Sequence, residues 1–213
     1  MVGIDIEHIA AMLLQARGDQ HRFLVAIAGP PAAGKSTLAE ALNNHLNGLT
    51  GLRSVVIPMD GFHLDNDLLD SLELRHRKGA PETFDLDGFA HLLQRLGRPD
   101  QPIYYPIFDR ALDKAIAGKG VVHSDHQVIL VEGNYLLLEE QPWSRLKTLF
   151  DHSIFIDTPM DVLKTRLIQR WLDHGYTLED AEARAVSNDI PNARRVCYGS
   201  ARADQLMRVL ATY

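Results

Sequence analysis

Short apolar runs without polar alternation recur along the chain, separated by stretches in which apolar residues return every three or four positions. Phe23-Leu24-Val25-Ala26-Ile27-Ala28 is the first such run. Ser54-Val55-Val56-Ile57 (stopped by Pro58), Val128-Ile129-Leu130-Val131 and Ser153-Ile154-Phe155-Ile156 follow it. A strand buried on both faces reads this way, because neither face is left for polar side chains. Helical spacing places Ile6, Ile9, Leu13 and Leu14 on one stripe of residues 4–17, within an N-terminal helix of 1–18. The same spacing predicts helices over 36–46, 87–96, 143–149, 160–173 and 178–186. Strands alternating with helices predict an α/β fold in three layers around a mainly parallel sheet. Residues 201–209 fit either pattern, and Leu206, Met207 and Val209 suit a last strand. Residues 98–126 break the alternation with Pro99, Pro102, Pro106, Tyr104-Tyr105 and Ala117-Gly118-Lys119-Gly120. They read as an inserted loop or small β excursion, a kind of segment that often carries function. No repeat or linker divides the chain, so 1–213 reads as one domain.

Composition narrows the class. The 213 residues are 46% apolar and 23% charged, ordinary for a globular domain. No apolar run approaches the roughly 18–20 residues that cross a bilayer, so no membrane insertion is expected. Asp5, Glu7 and His8 stand where a signal peptide carries basic residues, and Cys197 is the single cysteine. Both features predict a cytoplasmic protein. The 22 Lys and Arg against 28 Asp and Glu leave a net charge of −6, which argues against coating nucleic acid. The sum does not exclude a small anionic ligand, which responds to local fields.

One local field is written into the chain. Gly29-Pro30-Pro31-Ala32-Ala33-Gly34-Lys35-Ser36 matches G-x-x-x-x-G-K-[ST] after a buried strand and before a helix. Glycine lets the backbone approach phosphate closely and adopt positive φ. Successive N–H groups and the helix N-terminus then face one anion. This assigns nucleotide contact to Gly29, Ala32, Ala33, Gly34, Lys35, Ser36 and Thr37, with Lys35 on the outer phosphates and Ser36 on Mg²⁺. Glu132 ends an apolar strand, and in a parallel sheet the ligand sits beyond the strand C-termini. Asp60 follows another buried strand and points at the same crevice by the same geometry. There it can take a proton from a hydroxyl or hold Mg²⁺ through water. A solvated strand end and an Asp-Gly turn are the plainer readings of these two acids. N-K-x-D for guanine and the L-S-G-G-Q of transporter ATPases are both missing from the sequence. A small-molecule phosphotransferase remains favoured.

Gly29–Ser36, Asp60-Gly61-Phe62-His63, Pro81-Glu82-Thr83-Phe84-Asp85 and Glu132-Gly133-Asn134-Tyr135 stand in the order seen in the superfamily of uridine kinases, bacterial pantothenate kinases and phosphoribulokinases. The chain resembles that superfamily over about 20–210. Within it, Arg77-Lys78-Gly79-Ala80, Tyr105-Pro106-Ile107-Phe108-Asp109-Arg110 and Arg170-Trp171-Leu172-Asp173-His174-Gly175 are most similar to the bacterial fructose transport system kinase group of nucleoside/nucleotide kinase-like proteins. The resemblance implies a P-loop fold with ATP and Mg²⁺ as cofactors. It implies a hydroxyl-bearing small molecule as acceptor, such as a sugar like fructose. It makes Asp60 the catalytic base, gives Glu132 the metal, and lets Phe84-Asp85 and the Tyr105–Arg110 segment shape the acceptor pocket. Gly61-Phe62-His63 departs from the Ser-Phe-Tyr of uridine kinases, against a nucleoside acceptor. A nucleoside or pantothenate-type kinase and a regulatory nucleotidase without an acceptor are the alternatives. Dimers occur among relatives, so a homodimer stays open.

Arg166 and Arg170 are four apart in a helical pattern and share a face. An arginine pair can clamp the charge that develops on phosphoryl oxygens, and the matching region of relatives, about 166–195, is a lid. Arg170 is assigned to catalysis and Arg166 to the substrate. His63, Phe84, Asp85, Tyr105, Asp109 and Arg110 complete the expected acceptor contacts. Asp109 and Arg110 can equally pair with each other, and Tyr105 can be core. Ser187 to Arg194 read first as capping and turn residues, with Asn188 and Asn192 as the ones able to reach a ligand.

Overall fold

A computed structural model describes residues 5–97 and 101–209. The strands are β1 (Phe23–Ala28), β2 (Ser54–Pro58), β3 (Ile103–Asp109), β4 (Lys114–Val122), β5 (Val128–Gly133), β6 (His152–Asp157) and β7 (Gln205–Arg208). Five of them form one sheet in the order β2-β5-β1-β6-β7, with every pairing parallel. The four apolar runs are its inner strands and β2, and the ambiguous 201–209 segment supplies the edge strand β7.

The helices are α1 (Ile6–Arg17), α2 (Lys35–Asn47), α3 (Asn66–Ser71), α4 (Leu86–Leu96), α5 (Met160–Asp173), α6 (Leu178–Arg184) and α7 (Ile190–Gly199). Side chains alternate across a strand, so β1 feeds two cores. Phe23, Val25 and Ile27 pack with Leu13 of α1, Leu38 and Leu42 of α2, and Leu163 and Leu167 of α5. Leu24, Ala26 and Ala28 face Phe89 and Leu93 of α4, Tyr105 and Trp143. The result is the three-layer architecture that the alternation predicts. Leu38 and Leu42 are wholly buried, and truncating such a leucine to alanine costs about 2–5 kcal/mol.

The 98–126 excursion is an antiparallel hairpin of β3 and β4, with its register broken between Tyr105 and Ile107. Pro106 stands at the break, where it has no N–H to offer the ladder. Two expectations are corrected. Residues Trp143–Leu149 form a 3-10 rather than an α-helix. The polar stretch after α6 is not a turn; a π-helical segment, Ala185–Asp189, carries the chain straight into α7. Pro191 falls at the start of α7, directly after the π-helical segment.

Candidate active site

The phosphate loop forms where β1 ends and α2 begins. Gly34 caps α2 with φ at 98°, a left-handed conformation that costs glycine little. Ala32 also adopts a positive φ of 64°, which strains a residue with a β-carbon. Its carbonyl is held by Arg166, whose Nη1 donates to it at 3.2 Å. Lys35 is buried and folds back across the loop, its Nζ donating to the Pro30 carbonyl at 2.9 Å. Burial pushes the Lys35 pKa down, opposed by the carboxylates of Glu132 and Asp60 and assisted by Arg170.

Sheet register brings the acids to this loop. β5 lies between β1 and β2, and Glu132 pairs with Ile27 on one side and Pro58 on the other. Glu132 therefore emerges beside the loop, and Ser36 Oγ donates to its Oε1 at 3.1 Å. Burial pushes the Glu132 pKa up, against the pull of Lys35. Asp60 sits in the 3-10 turn Met59–Phe62, two residues beyond the register partner of Glu132. Arg110, from the hairpin, donates to Asp60 Oδ2 at 3.3 Å. His63 Nδ1 lies 2.8 Å from the Asp60 carbonyl. A carbonyl only accepts, so this nitrogen carries the proton and Nε2 remains an acceptor. The ring packs against Phe84 and Phe108 with centroids 4.0 and 4.9 Å away. Burial lowers the His63 pKa, although the Asp60 carboxylate pulls it upward.

Two cavities meet at Asp60. A pocket of about 310 Å³ is lined by Ala32, Gly34, Lys35, Ser36, Thr37 and Glu132. A cleft of about 900 Å³ opens between the 75–79 loop, the tip of the hairpin and the segment from α5 to α7. Pro31, Asp60, Arg110, Asn134 and Arg170 line both.

The structure thus brings together Asp60, Lys35, Ser36, Thr37, Ala32, Gly34, Glu132, Arg110 and Arg170, with His63 on the cleft wall. Gly29 directly follows β1 and lies against Ile156, and Ala33 is buried inside the loop. Five residues expected at the acceptor make other contacts. Phe84 is buried in the core beside Tyr135 and Trp143. Asp85 caps α4, accepting from the Gly88 N–H at 2.8 Å. Tyr105 is buried and donates its hydroxyl to Val56 at 3.0 Å. Asp109 does not pair with Arg110; it accepts from Lys119 Nζ at 2.9 Å and from the N–H groups of Ala111 and Leu112. Arg166 lines neither cavity and acts on the phosphate loop from outside. Sequence reasoning did not assign Asn134, Trp171, Tyr176 or Arg184, all of which line the cleft. Arg184 stacks between Trp171 and Tyr176 at 4.9 and 4.6 Å from their centroids. Asn134 was within reach, since it directly follows Glu132-Gly133.

Among the described residues no group of three or more His, Cys, Asp or Glu side chains forms a metal cage. Mg²⁺ does not need one. It binds through one or two hard oxygens together with substrate phosphates and water. The Ser36 hydroxyl and the Glu132 carboxylate, beside Asp60, supply that donor chemistry.

Comparison with known proteins finds relatives over most of the chain. The model of the phosphoribulokinase/uridine kinase family matches residues 24–196. The uncharacterized protein YggC of Escherichia coli is 36% identical over 199 residues, covering 92% of this chain and 81% of YggC. A Schizosaccharomyces pombe protein named as a putative uridine kinase is 35% identical over 81% of this chain and 77% of its own length. A crystal structure from Silicibacter sp. TM1040, described as a putative fructose transport system kinase, is 44% identical with a TM-score of 0.91. That match covers 96% of this chain and 99% of the other.

Proposed function

The chain belongs to the phosphoribulokinase/uridine kinase family and is a P-loop kinase; from that premise we propose that it transfers the γ-phosphoryl group of ATP to a hydroxyl of a small molecule, with a sugar such as fructose as the acceptor. The observation that carries the reading is the position of Asp60. It lines the phosphate pocket and the larger cleft at once. A nucleotide switch has no use for a second cleft opening on that carboxylate. The 44% identical structure supports the sugar acceptor by its description. A family of small-molecule kinases supports a cytoplasmic site of action. Among the described residues no helix is long and apolar enough to cross a membrane.

In this reading ATP lays its phosphates along the loop, against the N–H groups and the start of α2. Lys35 exchanges the Pro30 carbonyl for β- and γ-phosphate oxygens, which supply the anion its burial calls for. Ser36 and Glu132 would hold Mg²⁺, which when bound would draw charge off the phosphate oxygens. The acceptor hydroxyl donates to Asp60, which takes its proton as the oxygen attacks. Arg110 gives way readily, because its side chain is 61% exposed and an exposed pair contributes at most about 1 kcal/mol. Arg170, at the mouth shared by both cavities, stabilises charge on the transferring group. The hairpin and the 166–195 region act as walls that close on the acceptor and exclude water.

The test is ADP release with and without fructose, other sugars, polyols, D-glycerate, pantothenate and nucleosides. Stimulation by a sugar supports the reading in full. Stimulation by another acceptor replaces the sugar. Release that no acceptor changes contradicts the kinase reading.

A further inference from the structure

Asn192 is an interior side chain with one group left over. It stands on α7 and is 3% exposed. Its Oδ1 is buried without a hydrogen-bond partner among the described residues, yet the residue lines the large cleft. The orientation of its amide follows from a chain of bonds. The Lys78 carbonyl only accepts, so Asn188 presents Nδ2 to it at 2.9 Å. Asn188 Oδ1 therefore faces the other way and accepts from Arg77 Nη1, a pure donor, at 3.1 Å. Arg77 is itself held by Glu82 Oε1, at 3.1 and 3.2 Å. Asn192 meets that same Asn188 oxygen with Nδ2 at 3.2 Å. Turning the Asn192 amide over would set two carbonyl oxygens against each other. Its Oδ1 is thus an acceptor by construction, and buried acceptors are nearly always satisfied.

The place of this pair decides what can satisfy it. Asn192 does not line the phosphate pocket. Asn188 is tied to the 77–78 loop, whose Lys78 ammonium lies 5.0 Å over Phe108, and Phe108 packs on His63 beside Asp60. The amides belong to the wall of the cleft that leads to the proposed base.

We propose that Asn192 is a recognition residue for the acceptor, its Oδ1 taking a hydrogen bond from a second hydroxyl, remote from the one that receives the phosphoryl group. Asn188 and Arg77 are positioning residues that fix the amide. The proposal rests on the kinase reading above and narrows its acceptor to polyhydroxylated molecules. A site built to bond a hydroxyl rejects the analogue that lacks it, because the buried acceptor is then left unpaired.

The test uses the full chain with ATP and Mg²⁺. Fructose, ribose, glycerol, D-glycerate, pantothenate and uridine are ranked by ADP release, and the best is compared with its monodeoxy analogues. Wild type should lose about 100-fold or more in kcat/KM with one of those analogues. In Asn192→Ala, and in Asn192→Leu, which keeps the volume, that ratio should shrink to within about threefold. The KM for ATP should stay unchanged, with thermal unfolding reporting that the variants are folded. Wild type that accepts every monodeoxy analogue equally overturns the proposal. So does an equal loss for parent and analogue in the variants, or a raised KM for ATP with discrimination intact. If no acceptor in the panel stimulates release, the kinase reading fails and takes the inference with it.

Discussion

The carbonyl oxygen of Pro106 lies so close over Gly61 that a β-carbon on Gly61 would stand 2.1 Å from it. Gly61 directly follows Asp60, and Pro106 belongs to the strand that leads to Arg110. This contact seats the hairpin on the turn that carries the proposed base. It also gives a reason for glycine where uridine kinases place serine: here the position has no room for a side chain.

Gly61→Ala should therefore cost both stability and activity. The obstacle is backbone, which no rotamer change relieves, so an overpacking loss of about 1–3 kcal/mol is expected. Urea unfolding of variant and wild type measures it. A variant as stable and active as wild type would refute the close packing of hairpin on turn.

Acidification should weaken the fold partly through His63. Burial holds its folded pKa below 6.5, whereas the unfolded chain takes up the proton near 6.5. The unfolded state then binds more protons in that window, so stability is full above about pH 6.5 and falls as pH drops towards the folded value. His126 is shifted in the same direction by burial, so the comparison must isolate His63. His63→Gln should lose less unfolding free energy than wild type between pH 7 and pH 5. Parallel stability–pH curves would contradict the assignment.

Lys35→Ala should weaken ATP binding by about 10- to 100-fold, the equivalent of a charged hydrogen bond of about 1.5–3 kcal/mol. Calorimetric titration with a non-hydrolysable ATP analogue measures it. Unchanged affinity would remove Lys35 from the phosphate site.

Much of this was legible in the sequence, for physical reasons. Strands buried on both faces leave unbroken apolar runs, so β1, β5 and β6 stood out. The phosphate loop is local chemistry at fixed spacing, and the acids Asp60 and Glu132 followed from the rule that ligands sit beyond parallel strand ends. The 3-10 turn around Asp60 and α3 are too short to show a period, and the spacing over Trp143–Leu149 showed a helix without telling 3-10 from α. The approach to α7 was obscured by polar residues and Pro191, although its buried face is made by tertiary contacts of Asn192, Ala193 and Val196. The partner that the structure gives Asp85 is local. Asp-x-x-Gly before an amphipathic helix is an N-cap pattern, and the carboxylate caps α4. Tyr105 alternates with the exposed Tyr104, so one faces inward; the sequence offered no sign of which. Asp109 and Arg166 found partners, Lys119 and the Ala32 carbonyl, that no spacing rule names.

Asp60→Asn tests the central claim most directly. The amide keeps the size of the side chain and removes the capacity to take a proton. With the best acceptor at saturation, the variant should bind ATP like wild type and lose about 100-fold or more in phosphoryl transfer, the scale of a general base. Near-normal turnover at unchanged ATP affinity would show that Asp60 is not the base, and that the meeting of the two cavities at its side chain does not carry the chemistry.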